Sequence, residues 1–306
     1  MSDLSRLKLS LEGPAASDSE KNRLFQELSQ DPSVLRLLKT HAIPEQLLWD
    51  NLYTFSRWQK EVEPCRGCKS LSQCRQKKKG YHMGLSYEGL LVETLEACKY
   101  EREKESALSH LKQYLVSDLG SEFEQCFFDR IDYEQESNAY VRSAREAYQC
   151  YLDGKGAYLY GNMGTGKTYL AACASNEMAR DGKKPVFVHY PSYCDRLARM
   201  YHTGEYRKEA EMCRFTDFLV IDDIGAEEVT ARNRMVLLSL LDDRMKNQKM
   251  TWFTGNGDFE MLRNHLRYDA AGEDVAAADR ILERIRILAK PILVEGNDRR
   301  VAAEDK

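Results

Sequence analysis

The residues best suited to chemistry lie at 161–168, GNMGTGKT, a complete fit to G-x-x-x-x-G-K-[ST] that follows a short apolar run and opens a helical pattern. Gly161, Gly164 and Gly166 let the backbone bend until successive N–H groups face one anion, and the helix N-terminus adds partial positive charge. The whole loop, Gly161, Asn162, Met163, Gly164, Thr165, Gly166, Lys167 and Thr168, is therefore expected to cradle the phosphates of ATP. In this reading Lys167 reaches the β- and γ-phosphates and Thr168 holds Mg²⁺. A second run, FLVIDD at 218–223, ends in two carboxylates. Asp222 suits Mg²⁺ held through water, and Asp223 suits orientation of the attacking water. Asp is one methylene shorter than the Glu more often used for that task, so slow or conditional hydrolysis is expected. Glu227 and Glu228 are weaker candidates nearby. TWFTGN at 251–256 places Asn256 at another strand tip, where an amide can sense the γ-phosphate and position water.

Two further groups carry chemistry. DRILERIRILAKP at 279–291 holds Arg280, Arg284 and Arg286, and the first two, four apart, share one helix face. One of that pair is expected to reach the γ-phosphate held by a neighbouring subunit, an effect worth roughly 10³–10⁵ in rate where it occurs. Cys65, Cys68, Cys74 and His82 form C-x2-C-x5-C-x7-H. Three thiolates and an imidazole would close a tetrahedral Zn²⁺ site with no open position, a structural rather than a catalytic metal. Cys98 is the rival to His82 as fourth ligand. Arg66, Lys69, Arg75, Lys77, Lys78 and Lys79 lie in the same knuckle, which contains no acid and would keep a positive surface. Cys126, Cys150, Cys173, Cys194 and Cys213 lack metal spacing and read as small apolar residues.

The elements that must position these groups follow from periodicity. Residues 20–60 carry Leu24, Leu28, Leu35, Leu38, Leu47, Leu48 and Leu52 at roughly helical spacing, so this part is expected to be helical. Residues 87–115 predict a strand or turn and then an exposed helix. Residues 121–136 hold six acids against one base, and the predicted division is 1–112 as a small helical, zinc-binding, partner-docking domain, 113–135 as an acidic linker and 136–306 as the catalytic domain. From there short apolar runs at 157–161, 186–190, 218–223, 251–256 and 291–296 alternate with helical patterns at 167–180, about 192–213, 230–247, 258–267 and 277–289. Strands alternating with helices predict an α/β fold with a parallel sheet. Asp258 is placed to cap one of the helices.

Charge and composition exclude other classes. With 45 basic and 49 acidic residues the net charge is −4, so contact with nucleic acid must come from local patches. The 27 residues between 190 and 218 supply one: Arg196, Arg199, Arg207, Lys208 and Arg214 among Tyr193, Tyr201 and Tyr206, a mixture suited to single-stranded DNA. Asp195, Glu205, Glu209 and Glu211 dilute it, and a solvated helix face fits equally. Lys183 and Lys184 form a weaker patch. No apolar run is long enough to span a membrane. Nine cysteines without an export signal predict a reducing, cytoplasmic setting.

Taken in order, GNMGTGKT, FLVIDDIGAE, TWFTGN and DRILERIR resemble the AAA+ ATPases of the initiator and helicase-loader clade, over about residues 130–306. Within that clade the set is similar to the bacterial DnaC/DnaI helicase loaders and to the IstB transposition ATPases, and the double Asp followed by IGAE resembles the loaders in particular. The resemblance implies an AAA+ P-loop sheet, with Asn256 as sensor 1, Arg284 as the arginine acting on a neighbour, self-association on ATP, and an inserted helix in the basic interval that contacts single-stranded DNA. After PILVEG ten residues remain, too few for a full helical lid, as in the loader subgroup. Arg299 and Arg300 are the only sensor-2 candidates, and weak nucleotide affinity is expected. A zinc knuckle ahead of such a core is similar to the DnaI-type primosomal proteins, and implies that the N-terminal domain contacts the replicative helicase. The implied function is ATP-dependent helicase loading in replication initiation and restart. An IstB-like transposition helper and a nucleotide-bound adaptor that never hydrolyses are the alternatives.

Overall fold

The computed structural model describes residues 17–200, 206–296 and 298–299. Tyr201, Glu205 and Arg300 lie outside the described residues, as does the side chain of Tyr206. The chain divides into two compact units, one running to Ser106 and the other from Ala107.

In the first unit Ser17 caps α1 (Asp18–Gln30) through a reciprocal pair with Glu20, and Asp31 caps α2 (Pro32–Thr40), accepting from the N–H groups of Ser33 and Val34. α3 (Gln46–Asp50) and α4 (Leu52–Val62) follow. Their apolar faces meet in one core of Leu28, Val34, Leu37, Leu48, Phe55 and Trp58. The periodic leucines of 20–60 thus form four helices, because Asp31-Pro32, Pro44 and the non-helical Asn51 interrupt one continuous pattern. An antiparallel hairpin comes next, β1 (Tyr81–Tyr87) with β2 (Leu91–Ala97), and then α5 (Lys99–Ala107).

The second unit is a six-stranded, all-parallel sheet. Its first strand is β3 (Val116–Ser117). Then come α6 (Asn138–Leu152), β4 (Gly156–Tyr160), α7 (Lys167–Arg180), β5 (Val186–His189), α8 (Tyr190–Met200) and α9 (Tyr206–Phe215). β6 (Phe218–Asp222), α10 (Ala231–Lys246), β7 (Met250–Gly255) and α11 (Phe259–Arg267) follow. A small β8 (Tyr268–Asp269) and β9 (Gly272–Glu273) hairpin leads to α12 (Val275–Leu288) and β10 (Ala289–Leu293). The order across the sheet is β10-β4-β7-β6-β5-β3. Successive side chains of β6 alternate between two cores: Phe218 and Val220 pack with α6 and α7, Leu219 and Ile221 with α8–α12. All five β6 residues are buried, as a central parallel strand requires.

All five strands expected from the apolar runs are present. The helix expected over 192–213 is instead α8 and α9. Asp258 caps α11, accepting from the N–H groups of Glu260 and Met261. Residues 113–135, whose charge suggested a linker, pack onto the second unit. β3 joins the sheet edge, Cys126, Phe128 and Ile131 are buried, and Asn176 of α7 donates to the carbonyls of Phe123 and Cys126, both at 2.9 Å. These apolar residues follow no regular period, so the acids dominate the local composition. On the far face Arg244 is wholly buried and donates to Thr251 Oγ1 and to the carbonyls of Cys213, Thr216 and Met250, tying the end of α9 to α10 and β7. Among the described residues no helix is long and apolar enough to cross a membrane.

Candidate functional site

Loops at the carboxyl ends of the strands of a parallel sheet form its natural ligand crevice. Here the loop after β4, the ends of β5 and β6 and the tip of β7 converge. The phosphate loop takes the left-handed backbone its glycines allow: φ is 142° at Gly161, 77° at Gly164 and 96° at Gly166. A Cβ at Gly161 would stand 2.5 Å from the Val294 carbonyl oxygen, so the loop and the strand-end beside it leave no room for a side chain there. The Lys167 ammonium is held at the loop, donating to the carbonyls of Gly161 at 2.9 Å and Asn162 at 2.7 Å, and Thr165 Oγ1 donates to the same Asn162 carbonyl at 3.0 Å. Met163 is exposed at the loop tip.

Thr168, the second residue of α7, donates through Oγ1 to Asp222 Oδ1 at 3.0 Å. Thr254 of β7 donates to the same oxygen at 2.6 Å. Burial pushes the Asp222 carboxyl above its ordinary value, and the two hydroxyls oppose that shift. The hydroxyl–carboxylate pair at the mouth of an anion-binding loop is an oxygen donor set of the kind Mg²⁺ takes. Asp223 turns out of β6 in the left-handed region, φ 59°, uncommon for any residue but glycine. Its N–H donates to Thr254 Oγ1 at 2.8 Å, and its Oδ1 accepts from Asn256 Nδ2 at 3.2 Å. Lys167, Thr168, Asp222, Asp223 and Asn256 are thus brought to one crevice.

Other expected residues stand elsewhere. Arg284, on α12, donates to Asp242 at 2.9 Å and Glu283 at 2.9 Å, while Arg280 is exposed. Arg299 does approach the phosphate loop: its N–H donates to the Gly164 carbonyl at 3.2 Å, its guanidinium pairs with Glu136 at 2.7 Å and stacks 4.0 Å from the Tyr140 ring. Glu227 is buried; it accepts from the Gly225 N–H at 2.7 Å and faces His265 Nε2 at 3.4 Å. That carboxylate raises the His265 pKa above its ordinary value. Two residues escaped the sequence reading. Thr254 stands two positions before Asn256 in TWFTGN, which could have flagged it; His189 ends β5 with no motif to mark it.

In the first unit Cys65, Cys68, Cys74, Cys98 and His82 all line one cavity of about 430 Å³. Cys65 Sγ accepts from Gln76 Nε2 at 3.2 Å, Cys74 Sγ from the Gly80 N–H at 3.4 Å, and Cys68 Sγ donates to the Ser70 carbonyl at 3.4 Å. The Gly80 N–H also holds the Cys74 thiol below its ordinary pKa. His82 Nδ1 lies 3.0 Å from the Met83 carbonyl, which leaves Nε2 for a ligand. Among the described residues no three His, Cys, Asp or Glu side chains are gathered closely enough to hold a metal ion. The thiols are turned to hydrogen-bond partners of the chain.

The basic interval is also changed by packing. Tyr193 is buried, so its ring is unavailable for base stacking. Arg196 is forked onto Glu209 and Asp118, and Arg214 pairs with Asp243 at 3.4 Å. Arg207, Lys208, Lys183 and Lys184 are exposed.

A family model described as IstB-like ATP binding protein matches residues 70–306. The replicative helicase loader DnaI of Bacillus subtilis is 29% identical over 307 residues, covering 95% of this chain and 97% of that protein. Among solved structures, that of DnaI superposes with a TM-score of 0.51 at 29% identity, over 62% of this chain and 98% of that one. A primosome component from Streptococcus pyogenes gives 0.50 at 25%, over 64% and 99%.

Proposed function

The chain belongs to the IstB-like ATP-binding protein family, and from that premise we propose that it is an ATP-dependent loader delivering the replicative DNA helicase onto single-stranded DNA. The observation that carries this reading is the near end-to-end match to a helicase loader, which takes in the N-terminal unit as well as the ATP-binding core. The IstB-like name keeps a transposition role as a second reading, which predicts no affinity for helicase.

The proposed chemistry is in-line attack of water on the γ-phosphorus, breaking the β–γ bond. The protein contributes position and charge. Lys167, now on the loop carbonyls, turns to the β- and γ-phosphates. Thr168 and Asp222 would hold Mg²⁺, which supplies charge neutralisation between the phosphates. Asp223 orients the water and Asn256 senses the γ-phosphate. Arg284 acts on a neighbouring subunit after leaving Asp242, so self-association and hydrolysis are linked, and hydrolysis is slow without partners. The N-terminal unit docks on the helicase, in a cytoplasmic setting. Exposed Arg207, Lys208, Lys183 and Lys184 contact DNA.

Zinc in the N-terminal unit is supported by four thiols and one imidazole around one cavity. Elemental analysis tests it: one zinc per chain, lost on Cys68→Ser, is expected, and a folded metal-free protein removes it. The loading reading is tested by mixing the chain with the helicase and a circular single strand. Helicase should reach the circle only with this chain and ATP together; equal loading without either overturns the reading.

A further inference from the structure

The strands of the six-stranded sheet all run parallel, so their amino ends share one edge, opposite the crevice that holds the phosphate loop. That edge carries a row of charge. In sheet order the row is Lys290 on β10, Lys155 just before β4, Lys249 just before β7, Asp217 just before β6 and Lys184 two residues before β5. Four steps of about 4.8 Å between neighbouring strands give it a length of about 19 Å. Two cavities lie along it. The first, of about 500 Å³, takes in Lys155, Lys249, Lys290 and Arg286 with the apolar Met250 and Pro291; among the described residues that line it none is acidic. The Arg286 guanidinium lies 5.1 Å from the Phe259 ring. The second, of about 410 Å³, takes in Lys184, Lys208, Glu211, Asp217 and Phe215, the last 57% exposed. Lys249 Nζ donates to Asp217 Oδ1 at 2.7 Å, which joins the two cavities.

The lysines at the start of the row are held loosely. Lys290 pairs with Glu146 at 2.8 Å and Lys155 with Asp153 at 3.0 Å, and both lysine side chains are more than half exposed. Pairs of that kind are worth about 0–1 kcal/mol, so a phosphate can displace the carboxylates at little cost. One cation for each of the three neighbouring strands β10, β4 and β7 makes a regular charge row, and the row leads to an exposed aromatic ring. A positive groove that tracks a backbone, with a ring on which a base stacks, is the chemistry of single-stranded nucleic acid. We propose that the amino-end edge of the sheet is a path for single-stranded DNA: Lys290, Lys155 and Lys249 take backbone phosphates, and Phe215 stacks on a base beyond Asp217. Its three lysines lie outside the basic interval of α8 and α9. The inference rests on the reading that the chain contacts single-stranded DNA.

The test is fluorescence anisotropy of a labelled oligothymidine with the full chain and ATP, titrated at several salt concentrations. Each phosphate contact removed makes the plot of log Kd against log salt shallower by about 0.7. The double change Lys155→Gln with Lys249→Gln should therefore flatten it by about 1.4, and weaken binding about 10-fold or more at about 0.1 M salt. Lys290→Gln alone should flatten it by about 0.7. Phe215→Ala should weaken binding about 10-fold with the slope unchanged, and Phe215→Trp should keep the affinity. Unaltered affinity and slope in the lysine variants, or unaltered affinity in Phe215→Ala, overturns the inference alone. So does displacement of the oligonucleotide by polyglutamate, or by a duplex of equal charge, as readily as by unlabelled single strand; the edge would then belong to an acidic protein or to a duplex. No binding of the oligonucleotide by the unaltered chain overturns the underlying reading and the inference with it.

Discussion

Thr254 Oγ1 donates to Asp222 Oδ1 at 2.6 Å and, on its other side, accepts the Asp223 N–H at 2.8 Å. One hydroxyl on β7 thus orients both acids of β6. It also fixes how the chain turns out of that strand, in a backbone conformation that costs about 1–3 kcal/mol and persists only where its surroundings impose it.

Thr254→Val keeps the shape and removes the hydroxyl. A hydrogen bond to a charged group is worth about 1.5–3 kcal/mol, so hydrolysis should fall about 10- to 100-fold. ATP binding, read by a fluorescent analogue, should change far less, because the Thr254 hydroxyl bonds to Asp222 and to the Asp223 N–H and not to a group of the phosphate loop. Equal loss of binding and turnover would mean that Thr254 supports the fold and not the two acids.

Arg284→Ala should leave nucleotide binding intact and cost roughly 10³-fold or more in stimulated hydrolysis. Arg280→Ala, four residues earlier, should be nearly neutral. In mixtures, Arg284→Ala chains should be able to hydrolyse only where an unaltered neighbour supplies the arginine. Lys167→Ala chains, which cannot bind nucleotide, should rescue them. Failure of that rescue would place Arg284 in the structural pair with Asp242 alone.

The His265–Glu227 pair predicts a pH signature. Glu227 raises the His265 pKa above that of the unfolded chain. The stabilisation is therefore fully present below the unfolded value of about 6.5, and is lost as pH rises through the higher folded value. Denaturant midpoints of the unaltered chain and His265→Gln should differ most near pH 5.5 to 6, and converge in mildly alkaline solution. A gap that widened with pH would reverse the assignment.

Arg244→Met should be among the most destabilising single changes. It strands the buried carbonyls of Cys213, Thr216 and Met250, at about 1–3 kcal/mol for each acceptor left without a partner. Urea unfolding should show a loss of at least about 3 kcal/mol, with ATP affinity preserved in whatever fraction stays folded.

The amino-acid sequence by itself determined the α/β class, the five main strands, the phosphate loop and the acids that face it. These are carried by local signals: apolar runs of strand length, glycines where the backbone must turn left-handed, and charged residues at strand tips. Tertiary structure alone decided the rest. It brought Thr254 and His189 to the acids, because strand order puts β7 and β5 on either side of β6, and no local pattern encodes which strands are neighbours. It buried Tyr193 and packed 113–135 against α7, since what an irregular segment covers depends on the surface it meets. And it gathered the thiols of the knuckle and His82 around one cavity, because which loop faces which hairpin is set by packing and not by cysteine spacing.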